Sequence, residues 1–253
     1  MASIVCITGA SSGIGEACAY RFAAAGFDLI LTGRRIERLQ HLQQQLESRH
    51  GVRVHALELD VRSREAVEAA FRALPAEWQA IAVLINNAGL ALGLQPIQDG
   101  NPEDWDVMID TNIKGLLYVT KAVVPGMIAR GKGHIINIGS TAAKDTYPAG
   151  NVYCATKRAV EALSEGMRID LLPYGIKVTA VHPGAVETEF SLVRFKGDAQ
   201  RARKVYEGFQ PLTAGDVAEV IYYCASLPAH VCINDLVITP TAQANAHFIH
   251  KLS

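Results

Sequence analysis

Short, almost continuously apolar runs alternate with longer stretches in which apolar residues recur every three or four positions. The runs Ser3–Ile7, Phe27–Thr32, Val52–Leu59, Ile81–Ile85, His134–Ile138, Ile176–Val181 and Val231–Ile238 predict strands. Their length and β-branched content favour strand over helix. A strand that is apolar at successive positions needs cover on both faces, which a parallel sheet between helices provides. Gly13–Ala25, Arg35–His50, Ser63–Ala73, Asn101–Arg130, Asn151–Leu172 and Ala214–Ser226 predict the helices. Gly26 and Gly51 end the first two. Ser63 suits an N-cap, and Asn101-Pro102 supplies a cap followed by a first-turn proline. The long fourth stretch is expected to break near Gly115. Strands and helices that alternate in this way, joined by right-handed crossovers, predict an α/β protein: one doubly wound domain over residues 1–253. Such sheets hold ligands beyond the carboxyl ends of their strands.

Composition narrows the picture. With 253 residues, 49% of them hydrophobic, the chain can build one large core. A net charge of −1 offers no general attraction for nucleic acid or an anionic membrane, so neither is expected as a partner. No apolar run is long enough to span a bilayer, and no secretory leader is recognisable, so a cytoplasmic setting is expected. Cys6, Cys18, Cys154, Cys224 and Cys232 are odd in number and lack a CxxC spacing, which predicts free thiols. The eight histidines are scattered, and no metal site is expected.

Candidate chemistry falls at the predicted strand ends. Gly9, Ser11, Ser12, Gly13, Ile14 and Gly15 form a glycine-rich turn between the first strand and the first helix. Glycines there let backbone approach a pyrophosphate, and the helix N-terminus offers free N–H groups to it. This placement predicts a Rossmann-type dinucleotide site on a parallel sheet of about seven strands. The second strand runs into Arg34 and Arg35, where NAD-specific folds usually carry an acidic residue. Two guanidinium groups suit a 2′-phosphate, so NADP is the expected cofactor. The alternative is that Arg35 is a solvated first-turn residue.

Several further motifs carry a family resemblance. They are Thr8–Gly15, Asn86-Asn87-Ala88-Gly89, Asn112, Ser140, Tyr153-x-x-x-Lys157, and Pro183-Gly184 followed by Thr188. Together, and over nearly the whole chain, they resemble the short-chain dehydrogenase/reductase family. The segments Leu74–Trp78, Asn87–Gly93, Met108–Asn112, Val193–Asp198 and Leu227–Val231 are most similar to its NADP-dependent 3-hydroxy acid dehydrogenases, which include serine and L-allo-threonine dehydrogenases. Sulfoacetaldehyde reductases share similar segments. The resemblance implies that Asp60 and Val61 flank the adenine, and that Asn87, Ala88 and Gly89 line the ribose side. It also implies that Pro183, Gly184, Val186 and Thr188 hold the nicotinamide end. Asn112, Ser140, Tyr153 and Lys157 are the implied catalytic set, with Asn112 in a water relay to Lys157. A homotetramer or homodimer is implied as well.

The chemistry expected of that set is acid–base assistance to hydride transfer. Tyr153 and Lys157 lie four apart on one predicted helix and share a face. The ammonium is expected to favour the phenolate and lower the tyrosine's pKa, so that Tyr153 can act as the acid/base. Ser140, at a strand end, is placed to hydrogen-bond a substrate oxygen. Arg194 is the candidate for gripping a small anionic hydroxy acid or aldehyde through two parallel bonds, with a surface arginine as the alternative. His182 receives no role. The tail Thr239–Ser253 is expected either to reach a neighbouring subunit or to fray. The function expected is interconversion of a 3-hydroxy acid and its semialdehyde. A sulfoacetaldehyde or broad carbonyl reductase, or a non-catalytic NADP(H)-sensing protein, are the alternatives.

Overall fold

The computed structural model describes residues 3–252; Met1, Ala2 and Ser253 lie outside the described residues. Among the described residues, seven strands form a single sheet in the order β3-β2-β1-β4-β5-β6-β7. They are β1 (Ile4–Thr8), β2 (Asp28–Gly33), β3 (Val54–Glu58), β4 (Ile81–Asn86), β5 (Gly133–Ile138), β6 (Ile176–Pro183) and β7 (Asp235–Ile238). Every neighbouring pair is parallel. The helices are α1 (Gly13–Ala24), α2 (Ile36–His50), α3 (Arg64–Arg72), α4 (Pro102–Ile109), α5 (Leu116–Arg130), α6 (Asn151–Leu171), α7 (Phe190–Arg194), α8 (Ala199–Lys204) and α9 (Ala214–Ser226).

Alternate strand residues feed two cores, one on each face. Val5, Ile7, Leu29, Leu31 and Ile136 pack with α1, α2 and α9. Ile4, Cys6, Ile30, Ile135 and Val178 pack with α3 and α5. This double cover is why the strands read as unbroken apolar runs. The sequence signals at helix ends act as expected. Ser63 Oγ accepts from Ala66 N at 3.2 Å, and Asn101 Oδ1 accepts from Glu103 N at 2.8 Å. All five cysteines are free, and Cys232 alone is not fully buried. Among the described residues no helix is long and apolar enough to cross a membrane.

Three details depart from the sequence reading. The break expected near Gly115 is a π-helical turn, Asp110–Gly115, between α4 and α5. The last strand begins at Asp235 rather than Val231, because Val231 N closes a turn onto Pro228 O at 2.9 Å. The described part of the tail does not fray but packs back on its own chain. Its residue Leu252 donates its N–H to Gly208 O at 2.7 Å, and Gln243 and Ile249 bridge. Helices α7 and α8 are too short to leave a periodic signal.

The strand order reverses between β1 and β4, which opens a crevice above their carboxyl ends. Every site described next lies around that crevice.

Candidate active site

The crevice is a cleft of about 550 Å³. Gly9, Ser11, Ser12, Gly13 and Ile14 line its floor, and Arg34, Arg35, Asp60 and Val61 line one end. Asn87, Ala88 and Gly89 line the middle, with Pro183, Gly184, Val186 and Thr188 towards the other end. Ser12 precedes α1 without a capping bond from its side chain, so the first-turn N–H groups stay open to a phosphate. Gly13 has φ +60 in the turn below them. Gly15, expected at the cofactor, does not line the cleft. It instead permits close packing, since a Cβ there would stand 2.5 Å from both Gly9 O and Asn87 Nδ2. Asn87 in turn clamps the glycine turn, donating to Thr8 O at 2.9 Å and Gly9 O at 3.1 Å.

Arg35 is not a free surface residue. It donates to Ser11 Oγ at 3.0 Å, Ser12 Oγ at 2.7 Å and Glu189 Oε2 at 2.8 Å. Arg38 holds the other oxygen of Glu189 at 2.8 Å. These two hydrogen-bonded guanidinium groups hold the Glu189 carboxyl well down, at about 2. A carboxylate already gripped there shows that the cationic end of the cleft can hold an anion. The cleft, its open helix N-terminus and this cationic end fit a phosphorylated dinucleotide.

At the other end Tyr153 and Lys157 share one face of α6, both buried, facing Ser140 across the cleft. Lys157 Nζ donates to Ile138 O at 2.8 Å and lies 6.0 Å from the centre of the Tyr153 ring. Asn112 sits in the π-helical turn behind them and does not line the cleft. Its side chain accepts from Leu90 N at 2.9 Å and donates to Leu90 O at 2.8 Å and Thr156 Oγ1 at 3.0 Å. Asn112 Oδ1 and Lys157 Nζ both flank Gly89, at 3.2 and 3.4 Å from where its Cβ would stand.

The tyrosine's acidity departs from expectation. Burial pushes the Tyr153 phenol up rather than down, and Tyr147 adds to this; the Ser140 hydroxyl and Arg194 oppose it. Burial also brings Lys157 down to about 8. Desolvation disfavours the charged form of both groups, and the ammonium donates to the Ile138 carbonyl instead of the phenol. The phenol therefore carries its proton at neutral pH.

Arg194, on α7, lies over the same ring, its guanidinium carbon 5.6 Å from the Tyr153 centroid. Nε donates to Gly93 O at 3.1 Å and Nη1 to Tyr147 Oη at 3.0 Å. Nη2 is buried and has no partner. Such an orphaned charged donor is costly unless something accepts from it. With Nε and Nη1 already committed, only Nη2 is left unpaired, so the guanidinium does not present a two-pronged fork. Sequence reading alone left out Tyr147, Glu189 and Gln243. Gln243 reaches in from the tail, accepting from Ala185 N at 2.7 Å beside the Pro183-Gly184 turn. No local pattern marks these three, because each acts across a long sequence separation.

The short chain dehydrogenase family model matches residues 3–198. The chain belongs to the short-chain dehydrogenase family. It is thus an oxidoreductase. The NADP-dependent 3-hydroxy acid dehydrogenase YdfG of Salmonella typhi is 51% identical over 244 residues, covering 96% of this chain and 97% of that one. Sulfoacetaldehyde reductase 2 of Chromohalobacter salexigens is also 51% identical, over 249 residues and 98% of both chains. Among solved structures, the closed form of serine dehydrogenase complexed with NADP+ superposes with a TM-score of 0.93 at 49% identity, covering 98% of this chain and 99% of that one.

Proposed function

We propose that this dehydrogenase interconverts a small 3-hydroxy acid, of the serine, 3-hydroxypropionate or 3-hydroxyisobutyrate type, with its oxo acid or semialdehyde. NADP(H) is the cofactor, and it supplies or accepts the hydride. Arg35, with Arg34 beside it, receives the 2′-phosphate. The α1 N-terminus and the Ser11–Ile14 turn hold the pyrophosphate. Asp60 and Val61 flank the adenine, and Pro183, Gly184, Val186 and Thr188 enclose the nicotinamide end. Lys157 holds the ribose on that side, and Asn112 keeps the Gly89–Leu90 backbone and the lysine in register.

Tyr153 is the acid/base. Protonated at rest, it donates to an oxyanion in the reductive direction, and cationic charge brought beside it makes it the stronger acid that this step favours. Accepting a proton in the oxidative direction needs added positive charge nearby, which Lys157 supplies when freed from Ile138 O. Ser140 hydrogen-bonds the substrate oxygen as charge gathers there.

The observation that carries the substrate class is the buried, unpartnered Nη2 of Arg194 beside the Tyr153 ring. A carboxylate one or two carbons from the reacting centre answers that donor. Tyr147, which accepts from Arg194, keeps its own proton to donate to the same anion. A sulfonate answers it too, so sulfoacetaldehyde reduction is the second reading, favoured by the relative of that name. Rates of malonic semialdehyde and sulfoacetaldehyde reduction with NADPH, and of L-serine, 3-hydroxypropionate and isethionate oxidation with NADP, separate the two. Preference for uncharged aldehydes over both anions would defeat either reading, and full turnover by Tyr153→Phe would defeat the mechanism.

A cytoplasmic setting suits the five free thiols. A homotetramer or homodimer would cover Ile169 and Leu172, at the end of α6, which are 73% and 74% exposed.

A further inference from the structure

Behind Ser140 lies a buried polar cluster that the chemistry above does not use. His182, next to last in β6, is 0% exposed. Its ring lies flush against Gly139, where a Cβ would stand 2.3 Å from Nδ1. Nε2 is 3.0 Å from Asp235 Oδ2 on β7. Nδ1 is 3.4 Å from Ser140 N and 3.2 Å from Ser140 O. Lys144 holds both oxygens of Asp235 at 2.9 Å and also pairs with Glu161 of α6. Arg158 approaches Glu161 from the solvent side. Asp235, Glu161, Lys144 and Arg158 are thus the charged groups around the ring.

Two simpler readings fail on this geometry. Glu161, His182 and Asp235 bring three ligand atoms within 4.8 Å of one another, as a cation site would, but Lys144 already pairs with both carboxylates and Arg158 adds a second cation at Glu161. An Asp–His–Ser succession resembles a nucleophile relay. Here, though, the imidazole meets the serine backbone, while Ser140 Oγ accepts from Ala142 N at 3.1 Å.

The remaining reading concerns the Ser140 peptide. With Nε2–H donated to Asp235, the neutral ring has an acceptor at Nδ1, and only the Ser140 N–H can bond to it. Once the ring is doubly protonated, Nδ1–H is a donor, and only the Ser140 carbonyl can accept. We propose that His182 is a positioning residue that fixes the Ser140 peptide against the anchored Asp235. Protonation of its ring exchanges the amide contact for a carbonyl contact and turns the serine hydroxyl away from the reacting oxygen. This rests on the role of Ser140 given under the proposed function. Burial and Lys144 hold His182 below the ordinary histidine range, against the pull of Asp235, Glu161 and the Ser140 backbone. The amide-accepting form is accordingly the working one at neutral pH.

The test is a pH series of kcat and KM for malonic semialdehyde reduction, with NADPH affinity measured by fluorescence titration, on wild type, His182→Leu, His182→Asn and Asp235→Asn. His182→Leu is expected to lower kcat about tenfold or more, with NADPH affinity within about twofold of wild type. His182→Asn recovers part of that loss, because its amide oxygen can accept from Ser140 N–H, and it lacks the wild-type acid limb because it does not titrate. Asp235→Asn moves that limb to lower pH, since the anion favouring the imidazolium is gone. Wild-type kcat in His182→Leu, or an acid limb unmoved in His182→Asn or Asp235→Asn, would overturn the proposal. So would a proportional loss of kcat, NADPH affinity and melting temperature. If His182→Leu does not fold, the limb of Asp235→Asn, on a half-exposed edge strand, decides alone. Ser140→Ala is the control: undiminished turnover there would remove the role of Ser140 itself.

Discussion

Replacing Arg194 with Met tests the substrate class most directly. Two of the three guanidinium nitrogens are committed inside the protein, to Gly93 O and Tyr147 Oη. Their loss disturbs the pocket equally for any substrate. Only Nη2 is unpaired, so the part specific to an anion is about one charge-assisted hydrogen bond, roughly 1.5–3 kcal/mol. At about 1.4 kcal/mol per factor of ten, that is a loss of roughly 10- to 150-fold. The quantity to read is a ratio: kcat/KM for malonic semialdehyde over kcat/KM for propionaldehyde, each with NADPH, in wild type and variant. Taking the ratio cancels the shared packing damage. The loss is expected mainly in KM if the anion is gripped equally in ground and transition states. A ratio unchanged within about twofold would refute the argument, because it would mean that the orphaned donor meets no substrate anion.

Two further outcomes follow from the same geometry. Burial holds Lys157 at about 8 against an ordinary 10.5. Between those values the unfolded chain keeps a proton that the folded chain has released, so folding stability rises with pH there. Thermal melts without cofactor should show wild type gaining on Lys157→Met across that window; a constant gap would contradict the depressed value. Arg35→Ala should lower the NADP-to-NAD affinity ratio by about 10- to 100-fold, the worth of one charge-assisted contact to phosphate. Fluorescence titration with both cofactors measures it, and an unchanged ratio would move the 2′-phosphate site away from Arg35.

Much of the molecule was legible without coordinates, and for one reason: local patterns record burial and backbone need. Val5 and Ile7 face one core while Ile4 and Cys6 face the other, so β1 had to be apolar throughout. Ser63 and Asn101 cap helices because orphan N–H groups need acceptors within three residues. The glycine turn and the Tyr153–Lys157 face are likewise short-range. These determined the fold class, the glycine turn and the Tyr153–Lys157 pair, whereas Asp60, Val61, Asn87, Ala88, Gly89, Pro183, Gly184, Val186 and Thr188 were reached through the family resemblance.

What the sequence could not determine were properties set by segments far apart in the chain. The sign of the Tyr153 shift depends on how completely water is excluded, and on Lys157 turning to Ile138 O instead of the phenol. Arg194 is left with one unpaired nitrogen because Tyr147 and Gly93 occupy its siblings. His182 acquires a partner from β7 and a serine peptide from the end of β5, more than forty residues away in each direction. Desolvation and hydrogen-bond competition are sums over everything packed around a group, and only the closed tertiary structure performs that sum.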